Sequence, residues 1–370
     1  DSSLRLYRGS VAGLEKSWVR LAANGDALQG MIWDGTELYV IESTAAVLDA
    51  LVPAAGDASA DTIIFKLADV LIEQGAPTCA SGSSTGQQKA DAAFESLLGE
   101  LKNAPAIMQA AGATRRLTVS ALGDAQFLQR HASEAEARDA IAARLNNVDG
   151  IFSSQLGVEI RVGALFMNDA TSAGVSSATS PNTLLRDLAR QRRQSSQLNS
   201  FGLTHLFTGR DLDGTTIGIA YIGALCQTEY SAALTELRNT WLDSLVTAHE
   251  IGHTFGADHD GDPAGTCSST APSAYLMGAI VSGSEDFSQC SLNRMQTTMQ
   301  TALCLAFLAP ANVAVSGNLG TMQRAVSAPF QWELEVRNVG GLAAANVRAD
   351  VNIPAALTIE DAVVVGGSCT

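Results

Sequence analysis

The chain has 370 residues, 46% of them hydrophobic, and carries 38 acidic against 23 basic side chains for a formal net charge of −15. That length predicts two or three domains with real cores, and the acidic balance excludes nucleic acid as a partner, because phosphate backbones call for a basic surface. No membrane span is expected either, since the longest apolar stretches, such as 303-LCLAFLAP-310, fall far short of the ~20 residues a spanning helix needs.

Up to about residue 75 the sequence reads as short strands with tight turns. In 28-LQGMIWDGTELYVIE-42, Asp34-Gly35 lies between apolar or alternating runs and predicts a hairpin. Another apolar run follows in 61-DTIIFKLADVLI-72. Residues 78–87 (TCASGSSTGQ) turn small and polar, as loops and linkers do. Residues 88–110 read as helical. From about 114, strands alternate with helices. Strands are predicted over 117–122, 158–166, 203–208 and 217–225. A helix is predicted over 133–145, with Ser133 as N-cap and Glu136 three residues on. A long helix is predicted over 239–255. Such alternation implies an α/β layer fold. After Pro310 the helical signals vanish. The runs 330-FQWELEVRNVG-340 and 345-ANVRADVNIP-354 alternate apolar and polar residues between Gly and Pro, predicting an antiparallel β-sandwich module. About 60 residues is short for one, so the module is expected to be incomplete.

Six cysteines (Cys79, Cys226, Cys267, Cys290, Cys304 and Cys369) occur with no CxxC pair. Their wide spacing suits disulfides in an exported protein better than a Cys-rich zinc site, and spacing alone does not give the connectivity. The expectation is a secreted, extracellular protein whose signal peptide has already been removed.

The stretch 248-AHEIGHTFGADHDG-261 holds three of the chain's five histidines. His249 and His253, four apart, lie on one helix face one turn apart and can bind one metal ion together. Glu250 points about 100° away, so it can reach a water at the metal without ligating the metal itself. This is the HExxH arrangement, with Zn2+ as the expected cofactor. The helix cannot supply a third ligand and must stop. Gly256 is suited to the left-handed turn that ends it, and His259 can then arrive from a loop. Three protein ligands leave zinc's fourth position open, the mark of a catalytic site. There zinc polarises a carbonyl and lowers the pKa of water, while Glu250 serves as general base and later as proton donor to the leaving amine.

HEIGHTFGADHD resembles the zinc signature of the metzincin metallopeptidases, which also need a methionine-containing turn beneath the zinc. Met277, in 275-YLMGAIVSGSEDFSQCS-291, fits that role as a structural support; on its own it would be core filler. Asp260, the residue after the third histidine, resembles the adamalysin/reprolysin branch. It would steady the turn through a local hydrogen bond, or else be a solvated loop acid. The stretch 217-IGIAYIGALC-226 resembles the edge strand that precedes the active helix in reprolysins, and 7–43 and 61–70 resemble reprolysin prodomains. The resemblance implies a metzincin-like α+β catalytic domain with a mixed sheet and a long active-site helix over 113–308. A β-rich prodomain with linker would precede it over 1–112, and an incomplete β-sandwich would follow over 309–370. It implies disulfides Cys226–Cys304 and Cys267–Cys290. The last 60 residues are similar to modular β-sandwich repeats of bacterial exported proteins. The first catalytic strand, 113-ATRRLTVSAL-122, contains no acid, so the calcium ion that several reprolysins hold is not carried over.

Gly218, Ile219 and Ala220 are candidates for a substrate-binding edge, since a protease can hold a peptide as an added strand. By pattern alone the segment reads equally well as a plain buried strand. Cys79 lies between the prodomain-like and catalytic blocks. A thiolate there can ligate zinc and keep the enzyme latent; a disulfide, for example to Cys369, or a buried thiol are the alternatives. Arg115-Arg116 reads as a processing site or as strand-edge basic residues. The expected function is a secreted zinc-dependent endopeptidase, held as a zymogen, with proteins or peptides as substrates and its own prodomain as inhibitor. The rival is a latent binding or adhesion protein that acts through its β-sandwich.

Overall fold

In the computed structural model the described residues are 4–14, 16–47, 61–70, 78–82, 113–167, 176–272, 274–280, 284–317, 330, 332–338, 344, 347–353 and 355–363. The helix expected over 88–110 and Cys369 lie outside them. The chain forms two compact units, Asp1–Phe307 and Leu308–Thr370.

The first unit opens with five strands: β1 (Arg5–Gly9), β2 (Trp18–Asn24), β3 (Ala27–Trp33), β4 (Leu38–Ser43) and β5 (Thr62–Lys66). They form an antiparallel sheet in sequence order. The Asp34-Gly35 hairpin is present, but as a four-residue connection, because Trp33 pairs with Leu38. Asp34 Oδ1 accepts from the backbone of Thr36 and Glu37, both at 2.8 Å, and Gly35 takes φ 105°. That side-chain turn needs two more residues than a tight Asp-Gly turn. Trp18, Met31, Leu38 and Val40, with Leu67 after β5, are buried in one cluster with Val148, Ile151 and Leu245 of the following region. Removing those five large side chains from water contributes on the order of 10 kcal/mol.

The second sheet of the unit contains β6 (Thr78–Gly82), β7 (Arg115–Gly123), β8 (Val158–Met167), β9 (Leu203–Thr208), β10 (Thr216–Tyr221), β11 (Ala232–Glu236) and β12 (Ala306–Phe307). Its order is β8-β7-β9-β11-β10-β6, with β12 pairing Arg115 and Arg116 at the start of β7. β7, β8, β9 and β11 are parallel, β10 is antiparallel to β11, and β6 is parallel to β10. Arg115-Arg116 thus opens β7, paired with β8 and β12, and Arg116 donates to Glu159 at 2.6 Å, so it is no exposed processing site.

Four long helices accompany this sheet: α1 (Glu134–Gln155), α2 (Pro181–Gln194), α3 (Thr240–Thr254) and α4 (Gln289–Thr301). α1 is capped as its sequence dictates, Ser133 Oγ accepting from Glu136 N at 3.1 Å, and runs ten residues past the expected end. Residues of α1 and α3 share one apolar cluster with Leu117, Val119, Leu203 and Phe207. Leu184, Leu185 and Leu188 of α2 share another with Leu122, Leu206 and Leu234. Because successive side chains on a strand alternate faces, the sheet is sandwiched between helices, giving a mixed α/β layer. The strand expected over 217–225 stops at Tyr221, since the chain turns at Gly223 (φ 65°) and Cys226 (φ 67°).

The second unit contains β13 (Val313–Gly317), antiparallel to β14 (Leu334–Asn338). Within the alternating run 345–354, the described residues Val347–Ile353 have no regular structure and are exposed. Among the described residues the expected sandwich is a single two-stranded sheet, because a period-two pattern specifies a strand only where a second surface buries one face.

Candidate metal centre

The centre is built on α3. Asn239 caps it, its Oδ1 accepting from Leu242 N at 3.0 Å. The helix carries His249, Glu250 and His253, which are 2%, 0% and 0% exposed. It ends in a Schellman motif: Ala257 N donates to Gly252 O at 3.1 Å and Gly256 N to His253 O at 2.8 Å, with Gly256 at φ 99°. The reversal brings His259 back, its ring centroid 4.7 Å from that of His253 and 5.2 Å from that of His249.

Ligand atoms of the three imidazoles lie within 4.8 Å of one another. His249 Nδ1–H donates to Leu276 O at 2.6 Å and His253 Nδ1–H to Ala257 O at 2.7 Å. Both bonds fix the tautomer that leaves Nε2 free as an acceptor. His249 Nε2 is buried with no partner. His253 Nε2 faces His259 Nε2 at 3.1 Å, close to the ~3.4 Å separation that tetrahedral zinc imposes on two ligating nitrogens. Burial lowers the pKa of all three, that of His249 to about 3, so they are neutral imidazoles with lone pairs to offer. An orphaned buried nitrogen and two nitrogens facing each other across 3.1 Å fit a cation at this point.

The Glu250 carboxylate has the Cys79 thiol beside it and no closer hydrogen-bond partner; burial, partly offset by that thiol, raises its pKa well above the usual carboxylate range. Gly218 of β10 packs against it so closely that a Cβ there would lie 2.4 Å from Glu250 Oε1. Met277 is fully buried beneath the helix, where a Cβ on Gly252 would lie 2.7 Å from its sulfur. Asp260 is also buried. Its Oδ1 accepts from Ser288 Oγ at 2.8 Å and Ser291 Oγ at 3.2 Å, and its N–H donates to Met277 O at 2.9 Å. It therefore joins the turn after His259, the Met277 loop and the start of α4.

The disulfides Cys226–Cys304 and Cys267–Cys290 are both formed. Cys79 is a buried free thiol. Its sulfur lies within 4.8 Å of ligand atoms of His249 and Glu250, and burial, followed by the neighbouring Glu250 charge, pushes its pKa well up.

β10 is not a bare edge. Gly218, Ile219 and Ala220 pair with Cys79, Ala80 and Ser81 of β6. On its other flank Cys79 N donates to Ala279 O at 3.2 Å. The chain's own segment thus lies between β10 and the Met277 loop. Sequence reasoning did not identify the carbonyls of Leu276, Ala257 and Ala279, which every residue type offers equally. Nor did it identify β11, whose AALTE run is short and buried throughout.

No helix among the described residues is long and apolar enough to cross a membrane. Residues 113–291 match the model of metallo-peptidase family M12, whose members are generally zinc-dependent. The match begins just before β7 and ends within α4, enclosing the whole histidine centre and the Met277 loop. Residues 113–291 therefore belong to metallo-peptidase family M12, as a metzincin of the reprolysin type.

Proposed function

We propose that the protein is a secreted zinc endopeptidase in its zymogen form, with residues 1–112 as prodomain, 113–308 as catalytic domain and 309–370 as a β-sandwich module. The observation that carries this reading is the convergence of three neutral imidazole nitrogens beside a buried glutamate. His249, His253 and His259 would hold the ion. When bound, zinc supplies Lewis acidity that polarises the scissile carbonyl and lowers the pKa of water.

The protein's own groups do the rest. Glu250 accepts a proton and passes it to the departing amine, and its raised pKa suits it to carrying that proton. The carbonyls of Leu276 and Ala257 hold the two helical imidazoles in the ligating tautomer. The backbone of Gly218, Ile219 and Ala220 binds the substrate peptide by strand addition. In the intact chain β6 occupies that strand position and Cys79 faces the centre as the latency ligand. Two disulfides suit an extracellular setting.

In chain processed after β6, Glu250→Gln is expected to lower peptide hydrolysis by about 10²–10⁴-fold with one zinc per chain retained by elemental analysis. Full activity in that variant would sink the mechanism. For latency, intact Cys79→Ala is expected to cleave a quenched fluorescent peptide at least tenfold faster than intact wild type. Equal rates would show that Cys79 is not the block.

A further inference from the structure

We propose that the five-stranded N-terminal sheet is a lasting docking partner of α1, and that it stays bound to the catalytic region after the chain joining them is cut. This goes beyond the peptidase reading and does not depend on it. The key observation is on α1. Every residue from Ala143 to Phe152 is buried, a run of ten. A helix lying on a protein surface leaves one face to water; this one is covered on both.

One side is covered by the second sheet and α3, where Arg144 pairs with Asp243 at 2.8 Å and Asn147 donates to Ser244 at 3.1 Å. The other is covered by β2. Trp18 lies on Gly150 so closely that a Cβ there would stand 2.5 Å from its ring. Glycine in mid-helix is unfavourable, and Trp18 accounts for it. Arg20 donates to Asp149 Oδ2 at 2.8 Å and to Ser153 Oγ at 2.9 Å, with Arg20 and Asp149 both buried. Asn146 donates to Leu21 O at 3.1 Å, and Arg8 pairs with Glu159 at 3.0 Å. Thr240, the first residue of α3, donates to Gln29 at 3.1 Å.

Among the described residues, the buried Trp18, Met31, Leu38 and Val40 of the sheet, with Leu67 after it, all belong to the cluster of α1 and α3. Separation would expose those side chains and strip buried Asp149 of its arginine. None of these contacts involves the cleft, which a different segment, β6, occupies. Unblocking the cleft and losing the sheet are therefore separate events, and the catalytic region keeps the sheet.

The test inserts a specific protease site between residues 71 and 77 of the full chain, so that cutting leaves β6 with the catalytic portion. After cutting, the two fragments are expected to co-elute in gel filtration at micromolar concentration and to separate only in denaturant. Gly150→Leu, which improves the helix former while colliding with Trp18, is expected to release the N-terminal fragment at least tenfold faster. Should that variant fold poorly, Arg20→Ala tests the same surface from the other side, with the same expected release. Separation of the wild-type fragments without denaturant overturns the proposal, whether the catalytic portion stays folded or precipitates. Retention as tight as wild type in the variants overturns the assignment of this face.

Discussion

Glu285 illustrates how one side chain reports its surroundings. It lies in the loop after Met277, 8% exposed, and burial raises its pKa from 4.5 to about 7, with Asp286 and Glu37 adding negative charge in the same direction. Gln155 at the end of α1 holds this loop in place, donating to Glu285 O and accepting from Phe287 N, each at 2.8 Å. With the folded pKa above the unfolded one, the folded state binds the extra proton between those values. Its contribution is fully present below about pH 4.5 and is lost as pH rises through about 7. The loss amounts to at most about 3–4 kcal/mol. Glu285→Gln should therefore gain stability over wild type as pH rises from 4.5 to 8, as read from urea midpoints. A constant difference between the two would contradict this assignment. The centre itself shows the same mix at residue scale: the side chains of His249, His253, His259 and Glu250 are readable as a motif, but the carbonyls that aim them are not.

At the scale of elements, the contact between β10 and α3 sets the chemistry. Gly218 lets the strand approach the helix until only hydrogen fits between it and Glu250. Gly218→Ala is expected to push the carboxylate aside or the strand away. The rate on a peptide substrate should fall by at least tenfold in processed protein while zinc stoichiometry stays at one; an unchanged rate would mean that the strand yields at no cost. The edge character of β10 was open by pattern, because an apolar strand reads alike whether a neighbour or a ligand covers it. Here β6 covers it, with Cys79 opposite Gly218. The reprolysin resemblance implies an edge; in three dimensions β6 pairs with that side of β10.

Across the whole molecule, long-range ties decide which pieces act together. Cys226–Cys304 joins the turn after β10 to the segment after α4 over a separation of 78 residues. Replacing both cysteines by serine is expected to cost about 4 kcal/mol by loss of the constraint on the unfolded chain, measured by denaturant unfolding. A change below about 1 kcal/mol would show that the unfolded chain is already constrained. The N-terminal sheet is fastened more extensively, through Trp18 on Gly150 and Arg20 on Asp149. Its hairpin pattern was legible from alternation and Asp34-Gly35, but its attachment to α1 was not. The helix offers little amphipathic signal when two partners cover it, and its buried Asn146, Asn147 and Asp149 look like solvent-facing residues in sequence.

By itself the sequence determined the histidine centre, the helix that carries it, the glycine that ends that helix and the strand–helix alternation around it. Those features depend on local spacing and backbone preference, which a few consecutive residues specify. The tertiary structure decided that Cys79 faces the centre, that β6 fills the edge beside Gly218, that Asp260 is tied to Ser288 and Ser291, and that the first sheet is seated on α1. Those features join residues far apart in the chain through backbone groups and close packing, and neither leaves a signature in residue type.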